Sequence, residues 1–275
     1  MPPSRSLPRS GDRRPGRTAE GRLGELPRDA DALPALPEAF HEALDTGLEA
    51  AGLTLGAAAR QAIDRHVRLL LAWNRAINLT SITDPAAIAV RHVLDSLAAL
   101  PLLGPAGAAV DLVDIGSGGG FPGLPLAAAR PATRATLVDS VAKKATFLEA
   151  AVEAAGLSDR VRVATSRAEA LASGPDAARW SHVTARAVGS MDLLVELGLP
   201  LLRVGGRLIA WKRGDIASEL AAAGRAASAL GGGPPEVHEI GFRGLEGHVL
   251  VEVRKVAITP AGYPRDPARR ERHPW

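Results

Sequence analysis

Between Val113 and Gly123 the chain reads VDIGSGGGFPG, an apolar run that gives way to five glycines within eight residues. Glycine has no Cβ, so such a turn brings backbone amides close to a ligand, and a helix opening just after it aims its free N–H groups the same way. Asp114, inside the run, is placed to face a ligand amine, and Pro122 suits a helix start, where its missing N–H costs nothing. Gly118, Gly120 and Gly123 also spell GxGxxG, the dinucleotide fingerprint. The glycines by themselves therefore leave open a dinucleotide site, another nucleoside site and a purely structural turn.

The next apolar run, ATLVDS, ends in Asp139, sixteen residues beyond Gly123 and 23 beyond Gly116. A carboxylate at a strand end accepts hydrogen bonds from both hydroxyls of a bound ribose. NAD and S-adenosylmethionine both present such a ribose. The same Asp139 also reads as the cap of a helix beginning at Val141, with Lys143 and Lys144 in its first turns. Further on, SRAEAL carries Arg167, Ala168 and Glu169, and TARAVGS carries Arg186 among small and apolar neighbours. His92 and Asp95, three residues apart in a helical pattern, look like a catalytic pair and equally like groups that orient one element against another.

These residues must be held by regular elements. Phe40, Leu44 and Leu48, then Ile63, Val67, Leu70 and Leu71, recur at helical spacing, and Asp84-Pro85 is a helix-start signal ahead of Ile88, Val90, Val93, Leu94 and Leu97. After Pro101 the pattern changes. Strand-length runs at 110–116, 135–140, 160–166, 181–188 and 206–212 alternate with helical patterns at 122–129, 141–155, 190–202 and 216–230. Alternation of this kind predicts an α/β fold with a parallel, doubly wound sheet. Runs at 236–242 and 248–255, joined by a short polar loop, predict a terminal antiparallel hairpin. A parallel sheet finished by a hairpin is the form of a class I S-adenosylmethionine-dependent methyltransferase, Rossmann-like but distinct from the usual dinucleotide fold. In that class the adenine is held at the third strand end, where Ala168 and Glu169 fall.

The organisation expected is a disordered extension over 1–35, a helical preface over 36–103, the methyltransferase domain over 104–256 and a basic tail over 257–275. The extension is rich in Pro, Arg, Gly and Asp and lacks a hydrophobic period. The tail holds six Lys/Arg against two Asp/Glu from 254 onward, a polyanion-attracting feature or a solvated end. Every cofactor contact anticipated here lies between Asp114 and Arg186.

HVLDSL, the WNRAINLTSI stretch, VDIGSGGGFPGLPLA, LVDSVAKKATFL, SRAEAL and ARAVGS, in this order, resemble the RsmG (GidB) family of bacterial small-subunit rRNA methyltransferases over roughly residues 40–255. The resemblance implies methyl transfer from S-adenosylmethionine to guanine-N7, at guanine 527 of 16S rRNA in the usual bacterial numbering. It also implies that Gly116, Phe121, Ala168, Glu169 and Arg186 contact the cofactor. Gly118 and Asp139 join this cofactor-binding set on the glycine-turn and strand-end arguments, and Arg186 is the candidate for positioning substrate or cofactor. The partner implied is 16S rRNA or a precursor of the small ribosomal subunit, the expected state a monomer and the expected location cytoplasmic.

Composition narrows the alternatives. The 275 residues contain no cysteine, which excludes a thiolate nucleophile, Cys-ligated zinc and the cysteine that pyrimidine-carbon methylation generally needs. The fourth strand end lacks the Asn/Asp-Pro-Pro-aromatic motif common in methylation of exocyclic amines. No metal site is expected. The apolar runs look too short to span a bilayer, and the N-terminal residues lack the apolar core of a secretory signal. Four lysines stand against 29 arginines in an Ala-rich chain, so arginine abundance alone says little about nucleic acid. Two other functions remain in view: an NAD-dependent oxidoreductase, disfavoured because the only tyrosine, Tyr263, lies in the tail and offers no Tyr-x-x-x-Lys, and a ribosome-assembly factor without catalysis.

Overall fold

The structure, a computed structural model, describes residues 26–275. Seven strands form one sheet: β1 (Val110–Ile115), β2 (Thr133–Asp139), β3 (Val161–Thr165), β4 (Trp180–Arg186), β5 (Leu202–Arg213), β6 (Glu236–Glu239) and β7 (His248–Arg254), in the spatial order β3-β2-β1-β4-β5-β7-β6. The first five run parallel, and β7 lies antiparallel to both β5 and β6. The order reverses between β1 and β4, so the carboxyl ends of β1, β2 and β4 flank the crevice where parallel α/β sheets bind ligands. β1 and β4 are buried along nearly their whole length, as strands covered on both faces must be.

The helices that precede the sheet are α1 (Glu38–Ala50), α2 (Ala57–Asn74), α3 (Pro85–Ile88) and α4 (Asp95–Leu97). Those among and after the strands are α5 (Gly123–Ala129), α6 (Ala142–Ala154), α7 (Ala168–Ala172), α8 (Met191–Gly198), α9 (Ala217–Leu230) and α10 (Pro267–Arg272). One core combines Phe40, Leu48, Val67 and Trp73 of the leading helices with Leu112, Leu137, Phe147 and Leu148 around the sheet. The leading helices thus share a core with the sheet. The other face is packed by Met191, Leu194, Ala223 and Leu230 over Val113, Val183 and Leu208.

Asp84 caps α3 as its sequence position suggests, accepting a 2.8 Å bond from the Ala87 N–H with Pro85 next in line. The helix is not uniform. Ala89–Leu94 is a π-helical segment between α3 and α4, and it carries Arg91 and His92. The expectation that no apolar run reaches bilayer length needs correction: Pro85–Leu103 spans 19 residues at a hydropathy of 1.5, long and apolar enough to cross a membrane by length and composition. It spends that apolarity inside the protein, where Ile88, Val93, Leu94 and Leu97 are buried.

Disorder was expected over residues 1–35. Residues 1–25 lie outside the described residues, but 26–35 pack against the folded chain. Ala30 is buried, Trp73 Nε1 donates to the Pro27 carbonyl at 2.6 Å, and Arg65 pairs with Asp31 at 2.6 Å. Such contacts come from partners far along the chain, so no local period announces them. The helix anticipated at 190–202 stops at Gly198, because Leu199–Leu201, with Pro200 inside it, tightens into a 3₁₀ turn before β5.

Candidate functional site

A cleft of about 440 Å³ opens at the carboxyl ends of β1, β2, β3 and β4. This is ample for a nucleoside-sized ligand. Gly116, Asp139, Ala168 and Glu169 all line it, together with Val138, Val141, Lys144 and Val188. Four of the residues singled out from sequence are therefore brought to one cavity from three different strand ends.

The glycine turn is shaped by close approach. Gly116 holds φ at +69°, and a Cβ there would stand 2.6 Å from Val188 Cγ2. At Gly123 a Cβ would run into Leu137 Cδ2 and meet Asp114 Cβ at 2.9 Å, so this glycine serves helix-to-sheet packing. Gly118 adopts φ +51° and its N–H donates to Asp139 Oδ2 at 3.0 Å. It shapes the turn from behind and is absent from the cleft lining. The helix-cap reading of Asp139 does not hold: α6 begins at Ala142 with Val141 as its N-cap and no side-chain cap, and Asp139 Oδ1 instead accepts from the Val141 N–H at 2.9 Å, bracing the turn ahead of the helix, while the residue borders the cleft. Each carboxylate oxygen retains a lone pair for a further donor.

Asp114 departs from its expected place facing a ligand amine. Its side chain is fully buried, with Oδ1 accepting from Thr184 Oγ1 at 2.7 Å and Oδ2 from the Gly123 N–H at 3.3 Å. It ties β1 to β4 and to the start of α5. Burial pushes its carboxyl up to about 6, against the opposing pull of those hydrogen bonds.

Phe121 and Arg186 form a second cluster, outside the cleft lining. The Phe121 ring lies between two imidazoles, His66 at 4.6 Å and His92 at 4.8 Å between centroids, with the Arg186 guanidinium 5.4 Å from its centre. Arg186 donates to Asp95 Oδ2 at 2.7 Å, to His92 Nδ1 at 3.2 Å and to the Arg91 carbonyl at 3.2 Å. His92 and Asp95 thus meet through Arg186. Asp95 Oδ1 takes a further bond from His248 Nδ1 at 3.0 Å, and its carbonyl accepts from Trp211 Nε1 at 2.7 Å. The leading helices are clamped to β4, β5 and β7 at this point.

Both histidines beside Phe121 are held neutral. Burial lowers His66 to about 4, and burial together with the Arg186 charge lowers His92 to about 3. A 2.7 Å contact to the Gly119 carbonyl makes His66 Nε2 the protonated nitrogen and leaves Nδ1 without a partner among the described residues. His92 Nδ1 lies 3.2 Å from both Arg186 Nη2 and the Arg91 carbonyl, and its Nε2 lies 2.7 Å from Thr80 Oγ1.

Sequence reasoning missed Arg270 and Pro267, which border the cleft from the C-terminal segment. Arg270 Nη2 donates to Glu169 Oε1 at 2.6 Å. Burial pushes the Glu169 carboxyl up, and the Arg270 bond and charge, together with a backbone N–H and the Arg167 charge, more than reverse that, leaving it below its ordinary range. The motif TPAGYPRDPARRERHPW showed positive charge but not where it folds. His66 and His248 were also missed, because their partners lie 53 and 153 residues away. Glu236, His238 and Glu252 stand close enough to hold a metal ion by spacing alone. Glu252, however, is already bonded by Arg207 at 3.1 Å, Arg254 at 3.1 Å and His238 at 3.1 Å, and two guanidinium charges oppose a cation there.

Sheet order, terminal hairpin, glycine turn and strand-end acid together define a class I S-adenosylmethionine-dependent methyltransferase. Residues 59–243 match the GidB family, described as rRNA small subunit methyltransferase G, and the chain belongs to that family. It is 45% identical over 226 residues to the ribosomal RNA small subunit methyltransferase G of Roseiflexus sp. (strain RS-1), covering 81% of this chain and 95% of that protein. The protein of the same name from Dehalococcoides mccartyi (strain CBDB1) is 41% identical over 221 residues, covering 80% and 93%. Among solved structures, a SAM-dependent O-methyltransferase from Thermotoga maritima shares 15% identity over 70% of this chain and 72% of its own, with a TM-score of 0.48. Membership rests on the sequence relatives.

Proposed function

We propose that this chain transfers a methyl group from S-adenosylmethionine to N7 of a guanine in 16S rRNA, the guanine being the one named by the family resemblance. The observation that carries the reading is the convergence of Gly116, Asp139, Ala168 and Glu169 on one cleft at the switch point of the sheet. The residues fit the cofactor. A side chain at Gly116 would fill the space beside Val188, Asp139 supplies the carboxylate a ribose calls for, and Val138, Val141 and Ala168 offer the apolar surface suited to adenine.

When bound, the cofactor supplies an electrophilic methyl group on a sulfonium. Gly116 admits it closely, Asp139 accepts from its ribose hydroxyls, and Ala168 and Glu169 receive its adenine. To Arg186, fixed over Phe121 by Asp95, we assign the positioning of either the cofactor's amino-acid end or the RNA. Guanine-N7 has an in-plane lone pair and needs no deprotonation, so the protein's contribution is alignment. Neutral His66 and His92, poor proton acceptors, suit a site without a general base. Acting on ribosomal RNA, the protein works in the cytoplasm, and we take it to act as a monomer. The test is calorimetric titration with S-adenosylmethionine and with NAD, followed by mass analysis of 16S fragments. Binding of the former and gain of one methyl group support the reading; binding of NAD alone, or cofactor binding without transfer, contradicts it.

A further inference from the structure

The C-terminal segment carries an ion pair that an appended tail has no reason to bury. Glu196 of α8 is fully buried. It receives the Arg265 backbone N–H at 2.7 Å, Arg265 Nε at 3.0 and 3.1 Å, Arg265 Nη2 at 2.6 Å and Trp275 Nε1 at 2.7 Å. The Arg265 guanidinium also lies 4.4 Å from the centre of the Trp275 ring, and Arg225 donates to the Trp275 carbonyl at 2.9 Å. A buried charge pair is tolerated only when its hydrogen bonding is this complete. It fixes the start of α10, which Asp266 caps by accepting from the Arg269 N–H at 2.9 Å.

From that anchor α10 delivers Pro267 and Arg270 to the cleft. Arg270 uses both ends of its fork: Nη1 donates to the Arg265 carbonyl at 2.7 Å and Nη2 to Glu169 Oε1 at 2.6 Å. The bonds form a chain from a buried carboxylate in the core to a carboxylate at the cleft. Glu169 on the short helix α7 has the conformational freedom of a long side chain, and a rigidly backed guanidinium removes it.

We propose that Arg270 is a positioning residue of the cofactor site: it holds Glu169 through Oε1, leaves Oε2 to the hydrogen-bond donors of the bound nucleoside, and is itself held by the Glu196–Arg265 pair, so that the C-terminal segment contributes Pro267 and Arg270 to the wall of the cleft. This rests on the reading that the cleft takes S-adenosylmethionine. It extends the site's supporting residues beyond the span from Asp114 to Arg186 without adding a direct cofactor contact.

The experiment is calorimetric binding of S-adenosylmethionine to the full chain and to Arg270→Ala, Arg270→Lys, Glu169→Gln and the Arg270→Ala/Glu169→Gln pair, with thermal midpoints measured without ligand. Loss of one charge-assisted hydrogen bond should weaken binding about tenfold in Arg270→Ala. Arg270→Lys should recover part of that loss. In the Glu169→Gln background the further change should be less than about twofold, because the two residues act as one unit. Unchanged or tighter binding in Arg270→Ala would overturn the proposal, tighter binding marking Arg270 as an obstruction. So would an equal loss in both backgrounds, the signature of a general structural effect. Failure of the unmodified chain to bind the cofactor would instead overturn the cofactor reading, and this inference with it.

Discussion

Asp95 and Arg186 meet across 91 residues of chain, with Arg186 Nη1 2.7 Å from Asp95 Oδ2 and both side chains largely shielded from water. The pair joins the helices before the sheet to the end of β4 and sets the guanidinium over Phe121. Removing one partner of a buried pair strands the other charge. Asp95→Ala should cost about 3 kcal/mol in urea unfolding. It should also reduce methyl transfer, because Arg186 is no longer held. A loss below roughly 1 kcal/mol, the range of an exposed pair, would show that the clamp is solvent-screened.

Gly116 and Gly118 both adopt positive φ but differ in surroundings. A Cβ at Gly116 meets Val188 Cγ2 at 2.6 Å, whereas at Gly118 the nearest atom is the Gly116 carbonyl oxygen at 3.7 Å. Gly118→Ala should therefore cost only the backbone preference, roughly 1–2 kcal/mol, and retain cofactor binding. Gly116→Val should lower the thermal midpoint further and abolish binding. Calorimetry and thermal melts on both variants check this; retained affinity in Gly116→Val contradicts the site.

Asp139 braces the turn ahead of α6 and borders the cleft. Asp139→Ala should lose about 1 kcal/mol of stability from its turn hydrogen bonds and, separately, on the order of 1 to 3 kcal/mol of cofactor binding. A fall in stability alone would assign Asp139 to the turn only. Unfolding and binding measured on one preparation separate the two.

The buried Asp114 carboxyl makes a pH prediction with a definite sign. Its folded value, raised to about 6 by burial, exceeds that of an unfolded aspartate, so the native state holds the proton more tightly. Its contribution to stability is greatest at low pH and declines as pH rises through the window from about 4 to about 6. Relative to Asp114→Asn, which does not titrate, the unmodified chain should lose roughly 2–3 kcal/mol across that window. Urea unfolding of both chains at pH 4 and pH 7 measures it. An equal pH dependence in the two chains would contradict the raised value.

Strand alternation, the hairpin and the Asp84-Pro85 helix start could be read from sequence because each is written in local periods and turn chemistry. Gly116, Asp139, Ala168 and Glu169 were legible for a related reason: parallel topology sends consecutive strand ends to one edge, so residues at those ends must meet. What the sequence hid depends on long-range packing. Asp114 turns inward because Thr184, 70 residues on, offers a buried hydroxyl. Arg270 reaches Glu169 across 101 residues only because Glu196 pins the intervening turn. Charge counting over the tail showed an excess of arginines and could not tell the buried Arg265 from the exposed Arg269 and Arg272.

The most direct test of the central claim is transfer itself. Purified protein, S-adenosylmethionine and small ribosomal subunits lacking the modification are incubated together, and N7-methylguanine is mapped along 16S rRNA by chemical cleavage at that base and by fragment mass. The account predicts one added methyl group on the single guanine named by the family resemblance, with none when the cofactor is omitted or Gly116 is replaced by Val. Methylation at another atom or another base, or no transfer by a chain that binds the cofactor, would contradict it.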